Sequence, residues 1–306
     1  MKKVFVTGGH GFLGTSLVEV LKKNNLKLFA PKSSECDLTL ESSLKNYSHD
    51  EYDYIFHLAA WTQAGDFCLK HPGEQWLINQ KINTNTLNWW KEKQPQAKLI
   101  FMGTSCSYPP ELDLNEENYM SGEPIDSLYT YAMTKRMLLQ GARAINKQYG
   151  LNYLCLVPST LYGPGYHTDG RQMHFIFDLI KKIMRGKKYE EKVVLWGDGE
   201  QKREIVYIND FITALLKLSK QSENDIINIG AGTEKSIREF AKIICRIIGF
   251  DETKIVYDLS KYVGAKSKKL EINKLISIYP EYIENLTKIE DGIKSVIDWF
   301  EINKTL

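Results

Sequence analysis

Val4-Phe5-Val6-Thr7-Gly8-Gly9-His10-Gly11-Phe12-Leu13-Gly14 sets a short apolar run directly before a glycine turn and an amphipathic helical window over residues 14–23. Glycines at 8, 11 and 14 let the chain turn tightly and bring backbone N–H groups against a pyrophosphate at a helix N-terminus. Glycine spacing alone also marks ordinary turns, but here the strand–turn–helix context that the dinucleotide motif requires is present. Gly8, Gly11, Phe12, Leu13 and Gly14 are therefore candidate cofactor contacts. The next apolar run ends Leu28-Phe29-Ala30-Pro31-Lys32-Ser33-Ser34. An NAD site usually places an acid there for the ribose hydroxyls, whereas Lys32 and Ser33 suit a 2′-phosphate, which favours NADP(H) and leaves NAD(H) as the alternative.

Working outward, further β-like apolar runs fall at residues 54–58, 98–102 and 153–157, separated by helical windows at 73–93 and 129–149. Continuous apolar strands alternating with helices predict an α/β fold, a doubly wound parallel sheet of Rossmann type covered on both faces. After Pro158 the pattern changes. A Gly-, Pro- and His-bearing loop leads to a helix ending near Arg185, a strand pair around 193–196 and 204–208, a strand at 228–230 and a helix over 236–248. We expect a dinucleotide-binding domain at 1–160 plus about 205–230, interleaved with a smaller substrate domain at 161–204 and 231–306.

The chain has 306 residues, a net charge of +2 and no apolar stretch of membrane-spanning length, which argues against a nucleic-acid or membrane partner. Its N-terminus runs straight into a strand, leaving no room for a signal peptide. The five cysteines are scattered without C-x-x-C spacing, so neither a disulfide framework nor a metal site is expected and a cytoplasmic location fits.

Two further patterns carry chemistry. Tyr131-Ala132-Met133-Thr134-Lys135 puts a phenol and an ammonium on one helix face, where the cation is expected to lower the phenol's pKa for proton transfer at a carbonyl or alcohol oxygen. Phe101-Met102-Gly103-Thr104-Ser105-Cys106 leaves the fourth apolar strand at the edge where doubly wound sheets bind ligands, and Thr104 is placed to donate to the same oxygen. Cys106 could be only a small buried residue, but its place two residues past Thr104 at the ligand edge favours a catalytic role; His174 in isolation reads as a polar helix start. His57, and His71 beside Pro72, read as structural; Trp76, Trp89 and Trp90 read as packing in a long helix.

With these residues in order, joined by His57-Leu58-Ala59-Ala60, Pro158-Ser159-Thr160-Leu161-Tyr162-Gly163, Val194-Leu195-Trp196-Gly197-Asp198-Gly199 and Arg203-Glu204-Ile205-Val206-Tyr207, the chain resembles the extended short-chain dehydrogenase/reductases, the nucleotide-sugar epimerase/dehydratase superfamily. Within it, Gly103-Thr104-Ser105-Cys106-Ser107-Tyr108-Pro109 is most similar to the GDP-fucose synthase group. That resemblance implies an enzyme that epimerises and reduces a GDP-linked 4-keto-6-deoxy sugar with NADPH. It implies Thr104, Tyr131, Lys135, Cys106 and His174 as catalytic residues. It adds Asp37, Leu38, Leu58, Ala59, Ala60, Pro158, Thr160 and Leu161 to the cofactor site, with Tyr131 and Lys135 contacting the cofactor as well. Ser105, His174, Lys182, Trp196, Arg203 and Lys268, the last within Gly264-Ala265-Lys266-Ser267-Lys268, fall to the nucleotide sugar. A homodimer built on helices 73–93 and 129–149 is likewise implied. The loop at 165–172 departs from the family pattern, so reduction without epimerisation, a heptose substrate, an NAD-dependent 4-epimerase and a non-catalytic cofactor-binding sensor stay open. A 4,6-dehydratase is disfavoured, since Ser105-Cys106 stand where that group carries an Asp-Glu pair.

Overall fold

The computed structural model describes residues 2–24, 26–261 and 266–306; Gly264 and Ala265 of the segment quoted above lie outside them. The first half runs β1 (Lys3–Thr7), α1 (Phe12–Lys22), β2 (Lys27–Phe29), β3 (Tyr54–His57), α2 (Phe67–Lys70), α3 (Pro72–Lys93), β4 (Lys98–Met102), α4 (Tyr129–Tyr149) and β5 (Tyr153–Pro158). The second half adds β6 (Thr160–Tyr162), α5 (Phe175–Tyr189), β7 (Val193–Trp196), β8 (Lys202–Arg203), β9 (Ile205–Tyr207), α6 (Ile208–Gln221), β10 (Asp225–Ile229), β11 (Lys235–Ser236), α7 (Ile237–Ile248), β12 (Ile255–Asp258), α8 (Asn273–Ile278) and α9 (Ile289–Ile302).

The central sheet has six parallel strands in the order β10-β5-β4-β3-β1-β2. Leu99, Ile100 and Phe101 of β4 and Leu154 to Val157 of β5 are fully buried, as strands covered on both faces must be. Each such side chain contributes roughly 1.5–3 kcal/mol of burial. From β1 the chain leaves to β2 on one side and returns in β3 on the other. Right-handed crossovers in opposite directions put α1 on one face and α3 with α4 on the other; α6 packs against α1. The resulting crevice lies beyond the carboxyl ends of β1 and β3, the site such a reversal creates for ligands.

A second core gathers Tyr162, Ile176, Phe177, Ile180, Val193, Phe240, Ile244, Ile293 and Phe300. Helix ends follow local chemistry: α4 stops at Gly150 (φ 74°) and α7 at Gly249 (φ 73°), while Ser236 and Glu239 form a capping box at the start of α7. Several expectations need correction. The strands at 193–196 and 204–208 are not partners: β7 pairs with β12 and β9 with β6. Helix α5 continues a turn past Arg185, to Tyr189. Trp89 and Trp90 are buried, but Trp76 is exposed on α3. Leu270, Ile272, Leu275, Tyr279 and Tyr282 return to the core of the large sheet. No helix among the described residues is long and apolar enough to cross a membrane.

Candidate active site

The glycine turn is built for close backbone approach. Gly8 has φ 68°, and a Cβ there would lie 2.7 Å from the Ala59 nitrogen. A Cβ on Gly14 would lie 2.0 Å from the Gly8 oxygen, whereas one on Gly11 meets nothing nearer than 3.5 Å. Gly11 caps α1 without a side-chain bond, so the first-turn N–H groups of Phe12 and Leu13 are left to a ligand. Across the crevice, after β5, the buried Ser159 hydroxyl has no hydrogen-bond partner among the described residues. An open cradle, free helix N–H groups and an orphaned hydroxyl fit a dinucleotide. Pro158, Thr160 and Leu161 flank that hydroxyl, half-buried.

Buried polar bonds hold the walls of this crevice. Thr7 Oγ1 and His57 Nδ1 are 2.8 Å apart, His57 Nε2 is 3.3 Å from Asn83 Oδ1, and Asn83 Nδ2 donates to the Thr134 carbonyl at 3.3 Å. Asn83 Oδ1 can only accept, so the network assigns the proton to His57 Nε2 and leaves Nδ1 to accept from Thr7. Burial, then the nearby Lys135 charge, pushes His57 down to about 4. The structural reading of His57 fits these bonds; His71 pairs with Glu74 at 2.9 Å. Leu58, Ala59 and Ala60 follow β3, with the Ala59 N–H donating to Thr7 Oγ1 at 3.3 Å.

Phe12 behaves differently from a simple cofactor contact. Its ring meets Tyr166 (5.1 Å) and Phe177 (5.7 Å), tying the glycine turn to the second core. Beyond β2, Lys32 and Ser33 are exposed, and the Glu35 carboxylate accepts from the Lys32 N–H at 2.8 Å, an acid missed in the sequence. His10 Nε2 lies 3.1 Å from the Ala30 oxygen. Asp37 accepts from Thr39, and Leu38 is buried.

Beyond β4, the chemistry-bearing side chains converge. Thr104 is buried, and its hydroxyl interacts with both the Tyr131 phenol and the Cys106 thiol. It also accepts from the Cys106 N–H at 3.3 Å. Burial raises the Cys106 pKa, but the Lys268 charge and bonds from Thr104, Lys268 and Ser105 outweigh it and hold the thiol below its ordinary value. Lys268 Nζ is 3.2 Å from Cys106 Sγ. Tyr131 departs from expectation: burial, then Cys106 and Cys68, push the phenol up rather than down. Lys135 Nζ sits 5.9 Å from the Tyr131 ring, and burial pushes its own pKa down to about 8.

His174 caps α5, and its N–H bonds the Tyr166 phenol. The His174 ring is hemmed in by protein atoms, yet over a third of the residue remains open to solvent. Burial, His167 and Lys268 hold it well below its usual pKa. Lys268 thus couples to Cys106 on one side and His174 on the other. Trp196 is 59% exposed at the end of β7, Arg203 is half-buried on β8, and Lys182 pairs with Asp178 at 2.8 Å.

Arg136, next to Lys135, escaped the sequence reading. Buried, it donates to the carbonyls of Ser107 (3.1 Å), Gly122 (2.7 Å) and Ser121 (2.6 Å), clamping the Cys106 loop onto α4. Tyr119, also buried, accepts from the Thr104 N–H and the Ser107 hydroxyl. Neither had a spacing signal, because both act through distant carbonyls and amides.

A family model described as the NAD dependent epimerase/dehydratase family matches residues 4–230. The GDP-L-colitose synthase of Yersinia pseudotuberculosis is 29% identical, over 97% of this chain and 97% of that protein. A GDP-L-fucose synthase of Sinorhizobium fredii is 30% identical, over 90% of this chain and 89% of that protein. The crystal structure of a GDP-L-fucose synthetase from Naegleria fowleri bound to NADP superposes with a TM-score of 0.88 at 26% identity, covering 99% of this chain and 93% of that one. The glycine cradle, the Thr104–Tyr131–Lys135 cluster and these matches together place the chain in the NAD dependent epimerase/dehydratase family.

Proposed function

We propose that this protein is an NADPH-dependent oxidoreductase that reduces the 4-keto group of a GDP-linked 4-keto-6-deoxy sugar, with epimerisation at sugar carbons 3 and 5 coupled to the reduction. The Thr104 hydroxyl, shared between the Tyr131 phenol and the Cys106 thiol, carries this reading. It sets a group suited to a carbonyl oxygen beside a group suited to the neighbouring carbons. The names of the relatives support the GDP sugar, and the NADP-bound neighbour supports the cofactor.

The glycine cradle and the α1 N-terminus would hold the pyrophosphate, with Lys32 and Ser33 at the 2′-phosphate. A bound NADPH would supply the hydride for carbon 4. Tyr131 is held protonated at neutral pH by its burial, the state needed to protonate the oxygen that becomes the alcohol. Thr104 donates to the same oxygen, and Lys135 adds positive charge behind the phenol. The 4-keto group acidifies carbons 3 and 5, and the thiolate form of Cys106 removes a proton there. His174 is the second acid–base group: it takes up a solvent proton and returns it to the opposite face of that carbon, while the Cys106 thiol loses its proton to solvent. Lys182, Trp196, Arg203 and Lys268 would receive the nucleotide, and Ser105 the sugar.

The two cores support a dinucleotide-binding unit at 1–160 with about 205–230 and a sugar-nucleotide unit at 161–204 and 231–306, except that Leu270, Ile272, Leu275, Tyr279 and Tyr282 pack with the first. Exposed Leu69, Trp76 and Leu77 support a homodimer, which the mass in solution tests. Five free cysteines agree with work in the cytoplasm.

The test is oxidation of NADPH, followed by absorbance, with GDP-4-keto-6-deoxymannose in deuterated water; NADH is run in parallel. We expect NADPH oxidation and deuterium at carbons 3 and 5 of the product. No oxidation with either cofactor refutes the reductase, and no deuterium refutes the epimerisation.

A further inference from the structure

Lys268 is 162 residues from Cys106 in sequence, yet its ammonium lies 3.2 Å from the thiol sulfur. Tyr131 and Cys68 also feel the charge of Cys106, and burial keeps both protonated. Lys268 is therefore the counter-charge that a Cys106 thiolate meets.

The segment carrying Lys268 has little regular structure of its own and is pinned on both sides. Upstream, the Lys202 N–H donates to the Lys266 carbonyl at 2.7 Å, and the Ser267 hydroxyl bonds Glu234 at 2.8 Å. Downstream, the Glu271 N–H donates to the Leu114 carbonyl at 3.0 Å, and Asn228 Nδ2 donates to the Glu271 carbonyl at 2.9 Å. The strongest anchor is Glu204. It is 2% exposed, and the Lys269 charge is the least of the influences on it. Instead it accepts from the N–H groups of Leu270 (3.0 Å), Gly232 (2.9 Å) and Ala231. A buried carboxylate gripping three amides costs desolvation and is retained where those amides must be held in place. What it holds in place is the strand of chain two residues from Lys268.

We propose that Lys268 keeps Cys106 available as a thiolate, and that Glu204 is a positioning residue that fixes Lys268 against it. This rests on the reading of Cys106 as an acid–base group, but its test needs no sugar substrate. The other four cysteines are buried, so alkylation by iodoacetamide reports on Cys106, with Cys106→Ser as the blank. The alkylation rate of the intact protein is measured against pH, since only the thiolate reacts. Lys268→Met is expected to move the inflection upward and slow alkylation at neutral pH about tenfold or more, one pH unit being a factor of ten. Lys268→Arg should keep the wild-type profile. Glu204→Gln, which replaces one accepting oxygen with a donor, should move the inflection in the same direction by less. Glu204→Asp, which keeps the charge and shortens the reach by one methylene, is measured beside it in case the Gln variant does not fold. NADPH binding confirms that each variant is folded. A Lys268→Met profile equal to wild type overturns the role of Lys268. Wild-type profiles in the folded Glu204 variants overturn the role of Glu204. Failure of the keto-sugar assay leaves these profiles unchanged, so the two readings fail separately.

Discussion

Acidification should weaken this protein through one buried histidine. His57 is 1% exposed, bonded between Thr7 and Asn83, and its pKa is pushed from 6.5 to about 4 by burial and the Lys135 charge. The native state refuses a proton that the unfolded chain binds once pH drops below about 6.5. The stabilisation is therefore complete above the unfolded pKa and is lost as pH falls from there toward 4. Integrating the two titrations between pH 7 and pH 5 gives a loss of about 2 kcal/mol from this residue alone. The assay is urea unfolding at both pH values, for wild type and His57→Gln, whose amide keeps a donor toward Asn83 but does not titrate. Glu204, raised to about 7, works in the opposite direction, but equally in both proteins, so it cancels in the difference. The variant starts from lower stability and should lose about 2 kcal/mol less between the two conditions. Equal losses in the two proteins would refute the assignment of a buried, neutral His57.

Gly14→Ala drives a Cβ to 2.0 Å from the Gly8 oxygen and 2.7 Å from the Gly9 Cα, so we expect a loss of roughly 3 kcal/mol in thermal stability together with NADPH binding. Gly11→Ala has room to fold and should lose NADPH affinity alone; wild-type affinity there would remove the cradle from the cofactor site. Tyr131→Phe should bind NADPH normally and reduce the keto sugar about a hundredfold to ten-thousandfold more slowly, and turnover within tenfold of wild type would count against the phenol. Arg136→Met leaves the carbonyls of Ser107, Ser121 and Gly122 without their donor and should cost about 3 kcal/mol. An unchanged melting temperature would show that the clamp is dispensable.

The readable parts of this molecule are those whose causes lie within a few residues. The β1–turn–α1 unit needs only a short apolar run, glycines at fixed offsets and an amphipathic window, and it forms where the pattern places it. Helix α4 runs over 129–149 as expected because Gly150 adopts the left-handed conformation that ends it. Tyr131 and Lys135 share a face because four residues make about one turn.

The partners of the short strands were not readable. β7, with four residues, and β9, with three, are too short to carry a period that names a neighbour, and each is paired by packing with a segment more than 40 residues away. The proton affinity of Tyr131 was misjudged for a related reason. Spacing places Lys135 nearby, but only the folded surroundings reveal that burial dominates and that two cysteines add to it. Local sequence thus determined the sheet, the glycine cradle and the types of reactive group, since propensity, turn chemistry and helical spacing act over one or two turns. Tertiary structure decided how those groups are charged and held: Lys268 on Cys106, Glu204 under Leu270, Arg136 across three carbonyls. Desolvation and Coulomb energies depend on through-space distance, and chain order does not record it.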